Sequence, residues 1–246
     1  MLYALLPYTI RLEVDMMKLM NGIRAISFDG DGTLWDFEQV MRHSLQCVLE
    51  ELSRINPGVA SLLDVEKMVS IRKSVAEELK GRVTNLEAIR LEAFRRTLQI
   101  IGKPDDALAS HLNQLYLKHR FEDIKLFEDV IPTLEALHKN YRLGLVSNGN
   151  SYPERCGLEG IFAFVVFAQD HGIEKPDAEI FHIAMRKAGC SKGEFLHIGD
   201  SLADDVVGAA NAGIRCVWLN RNRISNNLGI NIDYEIRSLI ELVEIL

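Results

Sequence analysis

The sequence predicts an α/β fold in which a doubly wound parallel sheet carries an inserted all-helical block. A short β-prone run at 24–28 ends in a polar, glycine-containing turn, as the first strand of such a sheet would. Residues 37–119 show helical spacing of apolar side chains, and after Phe127 strand-like and helix-like segments alternate. This alternation predicts right-handed crossovers that place helices on both faces of the sheet. Ligands bind such sheets at the carboxyl ends of the strands.

The helical block is predicted from an apolar stripe and from a helix-start motif. Apolar residues recur on one helical face at Val40, Leu45, Val48, Leu49 and Leu52. The stretch 84–87, Thr-Asn-Leu-Glu, fits an S/T-x-x-E capping box, so we expect a helix to begin there with Thr84 as its N-cap. Because the block follows the first strand directly, it is expected to lie over the carboxyl edge of the sheet as a cap.

The rest of the chain supplies the other elements of the predicted core. We expect strands at 143–147, 164–167, 195–198 and 215–219. We expect helices through Leu134 and Leu137, over 177–187, and in a segment that ends at Gly213. The predicted division is an N-terminal extension at 1–21, a core of 22–37 and 121–246, and a helical cap of 38–120.

Composition limits the classes of partner. The formal net charge of -7 repels polyphosphate backbones, and no Lys/Arg stripe opposes it locally, so we expect no nucleic-acid partner. No stretch approaches the roughly 20 apolar residues that cross a bilayer, so we expect no membrane partner. The cysteines form no C-x-x-C pair, which favours reduced thiols and a cytoplasmic location. They are Cys47, Cys156, Cys190 and Cys216.

The most specific motif is the stretch 29–34, Asp-Gly-Asp-Gly-Thr-Leu, at the end of the first predicted strand. An EF-hand calcium loop does not fit, because Thr33 and Leu34 stand where an Asp or Asn and a Gly are required. A dinucleotide-binding loop does not fit either, because Trp35 occupies the third glycine position. For the motif taken alone, a structural acidic turn is the remaining alternative.

Two carboxylates in this motif fit the hydrolysis of a phosphate ester. Asp29 is expected to be ionised at pH 7, since an Asp has an ordinary pKa of about 3.9, and a carboxylate can attack phosphorus to form an aspartyl-phosphate. Asp31 is placed to protonate the departing alkoxide and later to accept a proton from water. Like charges about 4 Å apart cost roughly 4 kcal/mol per pair at an effective dielectric near 20. The motif therefore predicts a divalent cation.

A second acidic turn follows the strand at 195–198. Asp200 is expected to join Asp29 on Mg²⁺, because this ion prefers oxygen ligands in octahedral geometry. Asp204 and Asp205 lie about 100° apart on a helix, so one of the two is expected to face the site. For the other, stabilisation of a helix N-terminus is the structural alternative. The spacing leaves open which residue takes which role.

Two further strand-end segments complete the predicted site. Ser147 and Asn148 follow an apolar strand, where a hydroxyl and backbone N–H groups can hold a phosphoryl oxygen. Lys175 precedes a proline at a helix start and can direct its charge at the phosphate and the nucleophile. Taken alone, Ser147 and Asn148 are typical of an ordinary turn after a strand, and Lys175 is typical of a solvated surface lysine. Their order along the chain is what favours a functional role.

These four segments, in this order, resemble the four motifs of the haloacid dehalogenase (HAD) superfamily. The resemblance covers residues 23–37 and 127–220. The inserted block resembles the small helical cap of the phosphoglycolate-phosphatase-like and β-phosphoglucomutase-like branches. The resemblance implies a Rossmann-like fold, a Mg²⁺ cofactor and hydrolysis of a small phosphorylated metabolite by a monomer or a homodimer. Gly30 departs from the family pattern, which often has an apolar side chain between the two aspartates.

The resemblance also assigns roles to single residues. It makes Asp29 the nucleophile and a metal ligand, and it makes Asp31 the general acid/base with its backbone carbonyl on the metal. It implies that Ser147 and Lys175 bind the phosphoryl group and that Asp200 binds the metal. The last motif residue, which is expected to lie behind the metal with the lysine, corresponds to Asp205, and Asp204 stays an alternative.

Other activities share parts of this pattern. Dehalogenases of the superfamily generally lack the second aspartate, so Asp31 argues against dehalogenation. A phosphomutase shares both aspartates and stays the second hypothesis. A receiver-like phosphoacceptor domain, which is a signalling switch and not an enzyme, normally lacks both an aspartate at the position of Asp31 and a helical cap. A binding module without catalysis would have lost a motif residue, and none is lost here.

Overall fold

The computed structural model of the protein describes residues 21–246. The extension predicted at 1–21 lies outside the described residues, apart from Asn21. Among the described residues, no helix is both long enough and apolar enough to cross a membrane. The four cysteines are all free thiols, with Cys156 and Cys216 buried and the other two partly exposed.

In the described part of the chain, the core is one sheet of six strands, all paired in parallel. The strands are β1 (Ala25–Phe28), β2 (Arg142–Ser147), β3 (Phe164–Phe167), β4 (Phe195–Gly199), β5 (Arg215–Leu219) and β6 (Tyr234–Ile236). Their order across the sheet is β3-β2-β1-β4-β5-β6, so β1 is central and the winding direction reverses beside it. The predicted doubly wound, Rossmann-like sheet is confirmed.

Helices cover both faces of this sheet, because successive side chains of a strand point to opposite sides. In β1, Ile26 and Phe28 pack into the hydrophobic cluster on one face, and Ala25 packs into the cluster on the other. The helices of the core are α5 (Val130–Leu137), α6 (Ala168–His171), α7 (Ala178–Ala188), α8 (Val207–Ala212) and α9 (Glu241–Ile245). All four residues of β1 are buried, and three of them are apolar, as expected for a central strand covered on both faces.

Between β1 and α5 the chain forms four α-helices with a hydrophobic cluster of their own. They are α1 (Phe37–Ile55), α2 (Val65–Leu79), α3 (Leu86–Ile100) and α4 (Asp106–Glu122). Each begins at an Asp or Asn whose side chain accepts a backbone N–H of the first turn, a favoured way to satisfy free donors. The inserted all-helical block is thus confirmed. Its predicted bounds, 38–120, stay a prediction, with the helices reaching from Phe37 to Glu122.

The predicted capping box was wrong in its register. The N-cap of α3 is Asn85, whose Oδ1 accepts hydrogen bonds from the backbone N–H groups of Glu87 and Ala88. An Asn amide carbonyl caps a helix as well as a hydroxyl does, so the residue after Thr84 takes the role. A capping box of the expected kind is present elsewhere, between Ser191 and Glu194.

A half-buried ion pair fixes the start of α5 to the segment that follows β5. Arg221, just beyond β5, donates to both carboxylate oxygens of Asp129, at 2.8 and 2.9 Å. The same carboxylate accepts from Ser238 Oγ at 2.6 Å and from the Leu239 backbone N–H at 2.7 Å. Burial raises the pKa of Asp129, but these four donors outweigh it and hold that pKa below its ordinary value.

This network predicts a pH-dependent contribution to stability. Asp129→Asn should lower the free energy of unfolding by about 1–3 kcal/mol at neutral pH, because it removes the charge from these hydrogen bonds. A depressed pKa stabilises the fold above the unfolded-state value of about 3.9 and stops doing so as the pH falls through the folded-state value. The difference between variant and wild type should therefore shrink below about pH 4.

Urea denaturation between pH 3 and pH 7 measures this difference, with Glu128→Gln at the exposed neighbouring position as the matched control. A destabilisation of Asp129→Asn that is the same at every pH would contradict the assignment of the effect to the carboxylate charge.

Candidate active site

Four loops meet at the carboxyl edge of the sheet because β2, β1 and β4 are adjacent. The loop after β1 carries Asp29 and Asp31, and the Asp29 backbone N–H donates to the carbonyl of Ile198 on β4 at 2.8 Å. The other loops follow β2, follow β4 and precede α7. The structure therefore brings all four sequence motifs together at one place.

Lys175 lies at the centre of this edge, between two carboxylates. Its Nζ donates to Asp29 Oδ1 at 2.5 Å and to Asp205 Oδ1 at 2.6 Å. All three side chains are buried, with residue exposures of 3% for Lys175, 6% for Asp29 and 0% for Asp205. Burial lowers the pKa of Lys175, but the two carboxylates outweigh burial and raise that pKa above its ordinary value. The lysine is thus a fixed positive charge beside Asp29.

The two carboxylates beside Lys175 have different environments. Burial raises the pKa of Asp29 well above its ordinary value, and repulsion from Asp205 and Asp200 adds to this effect, while Lys175 opposes it. Burial also raises the pKa of Asp205, but Lys175 and His197 outweigh it and hold that pKa below its ordinary value. Asp205 is therefore ionised. At Asp29, the positive charge of Lys175 does not outweigh burial and the repulsion from the other two carboxylates.

A hydrogen-bonded support holds Asp205 from behind. His197 Nε2 lies 3.0 Å from Asp205 Oδ1, and the Ser201 backbone N–H donates to Asp205 Oδ2 at 2.9 Å. Burial lowers the pKa of His197, so its ring is neutral and can donate from Nε2 while Nδ1, 2.8 Å away, accepts from Ser27 Oγ. Both oxygens of Asp205 are thereby occupied. Asp204 is half-buried and does not pair with Lys175.

A π-helical turn over Leu202–Val206 sets which of the two aspartates points inward. The turn gives Asp205 a direct contact with Lys175 that the neighbouring residue does not make. The sequence left these two positions open, and this geometry favours Asp205 for the position behind the site.

Three carboxylates are close enough to share a cation. One oxygen each from Asp29, Asp200 and Asp205 lie within 4.8 Å of one another. Since both Asp205 oxygens already have partners, the carboxylates with free capacity are those of Asp29 and Asp200. Burial, together with repulsion from Asp205, raises the pKa of Asp200 to about 6. The donors present are all oxygens, which is the set that Mg²⁺ prefers.

Glycine is required beside this cluster. Gly32 has a φ of +92°, and a Cβ there would lie 2.5 Å from Asp200 Oδ2. Any side chain at this position would therefore strain the backbone and displace the Asp200 carboxylate. Thr33, the next residue, donates from Oγ1 to Asp200 Oδ1 at 3.2 Å. The D-G-T part of the motif thus shapes the space around Asp200.

Asp31 is held in a different direction from Asp29. Trp35 Nε1 donates to Asp31 Oδ1 at 2.6 Å, and Ser151 Oγ donates to the same oxygen at 3.3 Å. The Trp35 ring also explains the glycine at position 30, since a Cβ there would lie 2.7 Å from Trp35 Cζ2. The indole fills the space that an apolar side chain at position 30 would need. Asp31 Oδ2 lies on the side of Gly149, where an added Cβ would be 2.5 Å from this oxygen.

The segment after β2 positions the lysine and carries the hydroxyl. Asn148 Oδ1 accepts from the Lys175 backbone N–H at 2.8 Å, and Asn148 Nδ2 donates to the Lys175 carbonyl at 3.0 Å. These two bonds give the Asn148 side chain a role in placing Lys175, while its phosphate contact stays a prediction. Ser147 Oγ accepts from the Gly149 backbone N–H at 3.0 Å, which orients the hydroxyl.

Several residues of the site were not found from the sequence. Arg120 of α4 is buried and donates to Asn150 Oδ1 and to Ser151 Oγ, both at 2.8 Å. Ser151 in turn donates to Asp31, so the helical insertion is connected to this carboxylate through two side chains. Arginine and serine are common residue types, and no motif marks this pairing across about 30 positions. His197 was likewise predicted only as part of a strand.

A cavity opens beside the cluster, between the sheet edge and the start of α1. Its volume is about 410 Å³, within the range of small-molecule sites. The lining residues include Asp31, Gly32, Asp36, Phe37, Phe127, Asp200, Asn220 and Arg221. The cavity thus joins two of the motif carboxylates to a partly apolar wall formed by the helical insertion and the core.

Comparison with known proteins decides the family. A family model for haloacid dehalogenase-like hydrolases matches residues 23–213 of this chain. The chain belongs to this family. The resemblance stated from the sequence is thereby confirmed, and the matched range includes the helical insertion as well as the motif loops of the HAD-like hydrolase.

Relatives of this HAD-like hydrolase match it over most of their length. The 5-amino-6-(5-phospho-D-ribitylamino)uracil phosphatase of Escherichia coli strain K12 is 29% identical over 202 residues, 81% of this chain and 84% of that protein. The N-acylneuraminate-9-phosphatase of Homo sapiens is 29% identical over 214 residues, 83% and 86% of the two chains. A solved structure described as a 2-haloacid dehalogenase, from Pseudomonas syringae pv. Tomato DC3000, is 32% identical in sequence with a TM-score of 0.78. The match covers 91% of this chain and 97% of that chain.

Substitutions of Asp204 and Asp205 are predicted to differ in their effect on the free energy of unfolding. Asp205→Asn should lower the free energy of unfolding by about 3 kcal/mol, because it removes one of the two carboxylates that pair with the buried lysine. Asp204→Asn, the matched control, should change it by less than about 1 kcal/mol. Urea denaturation of both variants measures the difference, and equal losses would contradict the orientation of this turn.

Proposed function

We propose that this HAD-like hydrolase is a Mg²⁺-dependent phosphatase that hydrolyses a small phosphate monoester through an aspartyl-phosphate on Asp29. The observation that supports the proposal is that two carboxylates on one loop have different contacts. Asp29 lies beside a buried lysine and a second carboxylate suited to a cation, while Asp31 is held apart by Trp35 and Ser151. Phosphatases among the curated relatives support the same reaction class.

Charge balance supports a cation at this site. Within residues 21–246, Asp29, Asp200 and Asp205 face a single buried ammonium, that of Lys175, so the cluster is short of positive charge even before a phosphate binds. Burial, with repulsion from neighbouring carboxylates added to it, raises the pKa values of Asp29 and Asp200. The residues that would hold Mg²⁺ are Asp29, Asp200 and the backbone carbonyl of Asp31. When bound, the ion neutralises phosphate charge and keeps both carboxylates ionised.

The side chains of the protein then have separate tasks in the proposed reaction. A carboxylate oxygen of Asp29 attacks phosphorus, and the bond to the ester oxygen breaks as Asp31 gives that oxygen its proton. Lys175 and the Ser147 hydroxyl stabilise charge on the phosphoryl oxygens, with Asn148 and Asp205 keeping the lysine in place. Asp31 next accepts a proton from water, which attacks phosphorus and releases inorganic phosphate and Asp29.

Dehalogenation is a further candidate beside the phosphomutase, because the solved structure from Pseudomonas syringae is described as a 2-haloacid dehalogenase. Displacement of a halide by Asp29 needs no proton donor, since a halide is a stable anion. An acid/base group at position 31, held by two hydrogen bonds at the edge of the cavity, has no task in that reaction. It has one in phosphate-ester hydrolysis, so the phosphatase is the better-supported function.

Substitution of the nucleophile tests the proposed function. Asp29→Asn should lower phosphatase turnover at least about a thousandfold, because an amide cannot form the acyl-phosphate. Turnover of the wild type should require Mg²⁺ and stop with EDTA. Release of phosphate from p-nitrophenyl phosphate and from a panel of sugar phosphates and nucleotides is the measurement.

Asp64→Asn is the matched control, since this Asp caps α2 in the helical insertion and Asn caps a helix equally well. Three outcomes would contradict the phosphatase: activity of Asp29→Asn comparable to wild type, release of halide from a short 2-haloalkanoic acid with no phosphatase activity, or exchange of phosphate between two sugar positions without its release. The last two would favour the dehalogenase and the mutase, respectively.

A further inference from the structure

A second cluster of metal-binding side chains lies in the helical insertion, on the facing sides of α1 and α4. His43 and Cys47 are four residues apart on α1, and His119 and Asp123 are four residues apart at the end of α4. Residues at this spacing share one face of a helix, so each helix presents two donors to the other. We infer that these four side chains bind a thiophilic divalent transition ion of the Zn²⁺ class.

The distances between donor atoms fit such an ion. One donor atom each from His43, Cys47 and His119 lie within 4.8 Å of one another. Cys47 Sγ is 3.8 Å from His43 Nε2. Asp123 Oδ2 is 3.1 Å from His43 Nε2 and 2.8 Å from His119 Nδ1. Tetrahedral Zn²⁺ with bonds of about 2.0–2.3 Å separates its ligands by about 3.3–3.8 Å, so the donor atoms would have to move by up to about 1 Å to bind the ion.

The chemistry of the donors separates this site from the carboxyl edge of the sheet. Two imidazoles, a thiol and a carboxylate form a mixed N, S and O set, which favours Zn²⁺ or Co²⁺ over Mg²⁺. On binding, the Cys47 thiol loses its proton to solvent, so the thiolate and the Asp123 carboxylate together balance the charge of a divalent ion. Asp29 and Asp200 offer oxygens alone and suit Mg²⁺.

The exposure of these side chains and their place in the fold indicate what an ion bound to them would do. The side chains of His43, Asp123 and His119 are 53%, 38% and 26% exposed, so an ion can reach them from solution. The α1 helix begins where the chain leaves β1, and Asp123 lies where it returns from α4 to the core. An ion on all four side chains would therefore fasten together the two connections between the helical insertion and the sheet. It would stabilise the folded form by binding it in preference to the unfolded chain.

Cobalt substitution tests the inference, because a thiolate bound to Co²⁺ gives an intense charge-transfer absorption that oxygen ligands do not give. The protein is titrated with Co²⁺ in excess Mg²⁺, which occupies the all-oxygen site. We expect the absorption to saturate at one equivalent of Co²⁺ and to disappear on addition of Zn²⁺. Cys47→Ser should abolish it. Cys190→Ser is the matched control, since Cys190 is the other partly exposed thiol, and it should retain the full signal.

A second variant tests the histidine donors. His119→Gln should weaken Zn²⁺ binding at least about tenfold in competition with a chromophoric chelator, the scale seen when even supporting groups of a metal site are removed. Circular dichroism confirms that each variant is folded. Absence of the charge-transfer band in the wild type at saturating Co²⁺ would overturn the inference, and so would a band that persists in Cys47→Ser. Neither result depends on turnover, so the phosphatase proposal is tested separately.

Discussion

Lys175 is shared by Asp29 and Asp205 in a buried site, and the geometry of the carboxyl edge depends on this pair of contacts. An unpaired charge at such depth would cost several kcal/mol, so each of the three groups constrains the other two. Asn148 fixes the backbone of the lysine from the loop after β2, and His197 with the Ser201 backbone fixes Asp205 from β4 and its loop. Three loops from separate parts of the chain thereby fix the position of Asp29.

The sequence was informative where a local pattern corresponds to a local structure. A buried strand that ends in Asp-Gly-Asp-Gly-Thr places its aspartates at the carboxyl edge, and parallel pairing then brings the other strand-end motifs beside them. The sequence was not informative where side-chain orientation depends on tertiary packing. The choice between Asp204 and Asp205 followed from a π-helical turn, which the assumption of 100° per residue does not describe. The contact of Arg120 with Ser151 joins helix to loop without any motif.

The helical insertion does more than cover the edge of the sheet. Arg120 on α4 reaches the loop after β2, and through Ser151 it is connected to Asp31, the proposed proton donor. Trp35 adds a second hold on Asp31 from the segment that leads into α1. Both connections of the insertion to the core therefore contribute to placing this carboxylate. The position of Asp29, the proposed nucleophile, depends on the sheet loops. The position of Asp31, the proposed acid/base, depends on how the insertion is attached.

Chemical trapping of the intermediate is the most direct test of Asp29 as the nucleophile. In Asp31→Asn the aspartyl-phosphate should form with p-nitrophenyl phosphate, whose leaving group needs little protonation, and then accumulate because no base activates water. Borohydride reduces an acyl-phosphate to an alcohol, so mass spectrometry of the digested protein should find homoserine at position 29. Homoserine at another position, or phosphate release with no modified residue in either wild type or variant, would contradict the account.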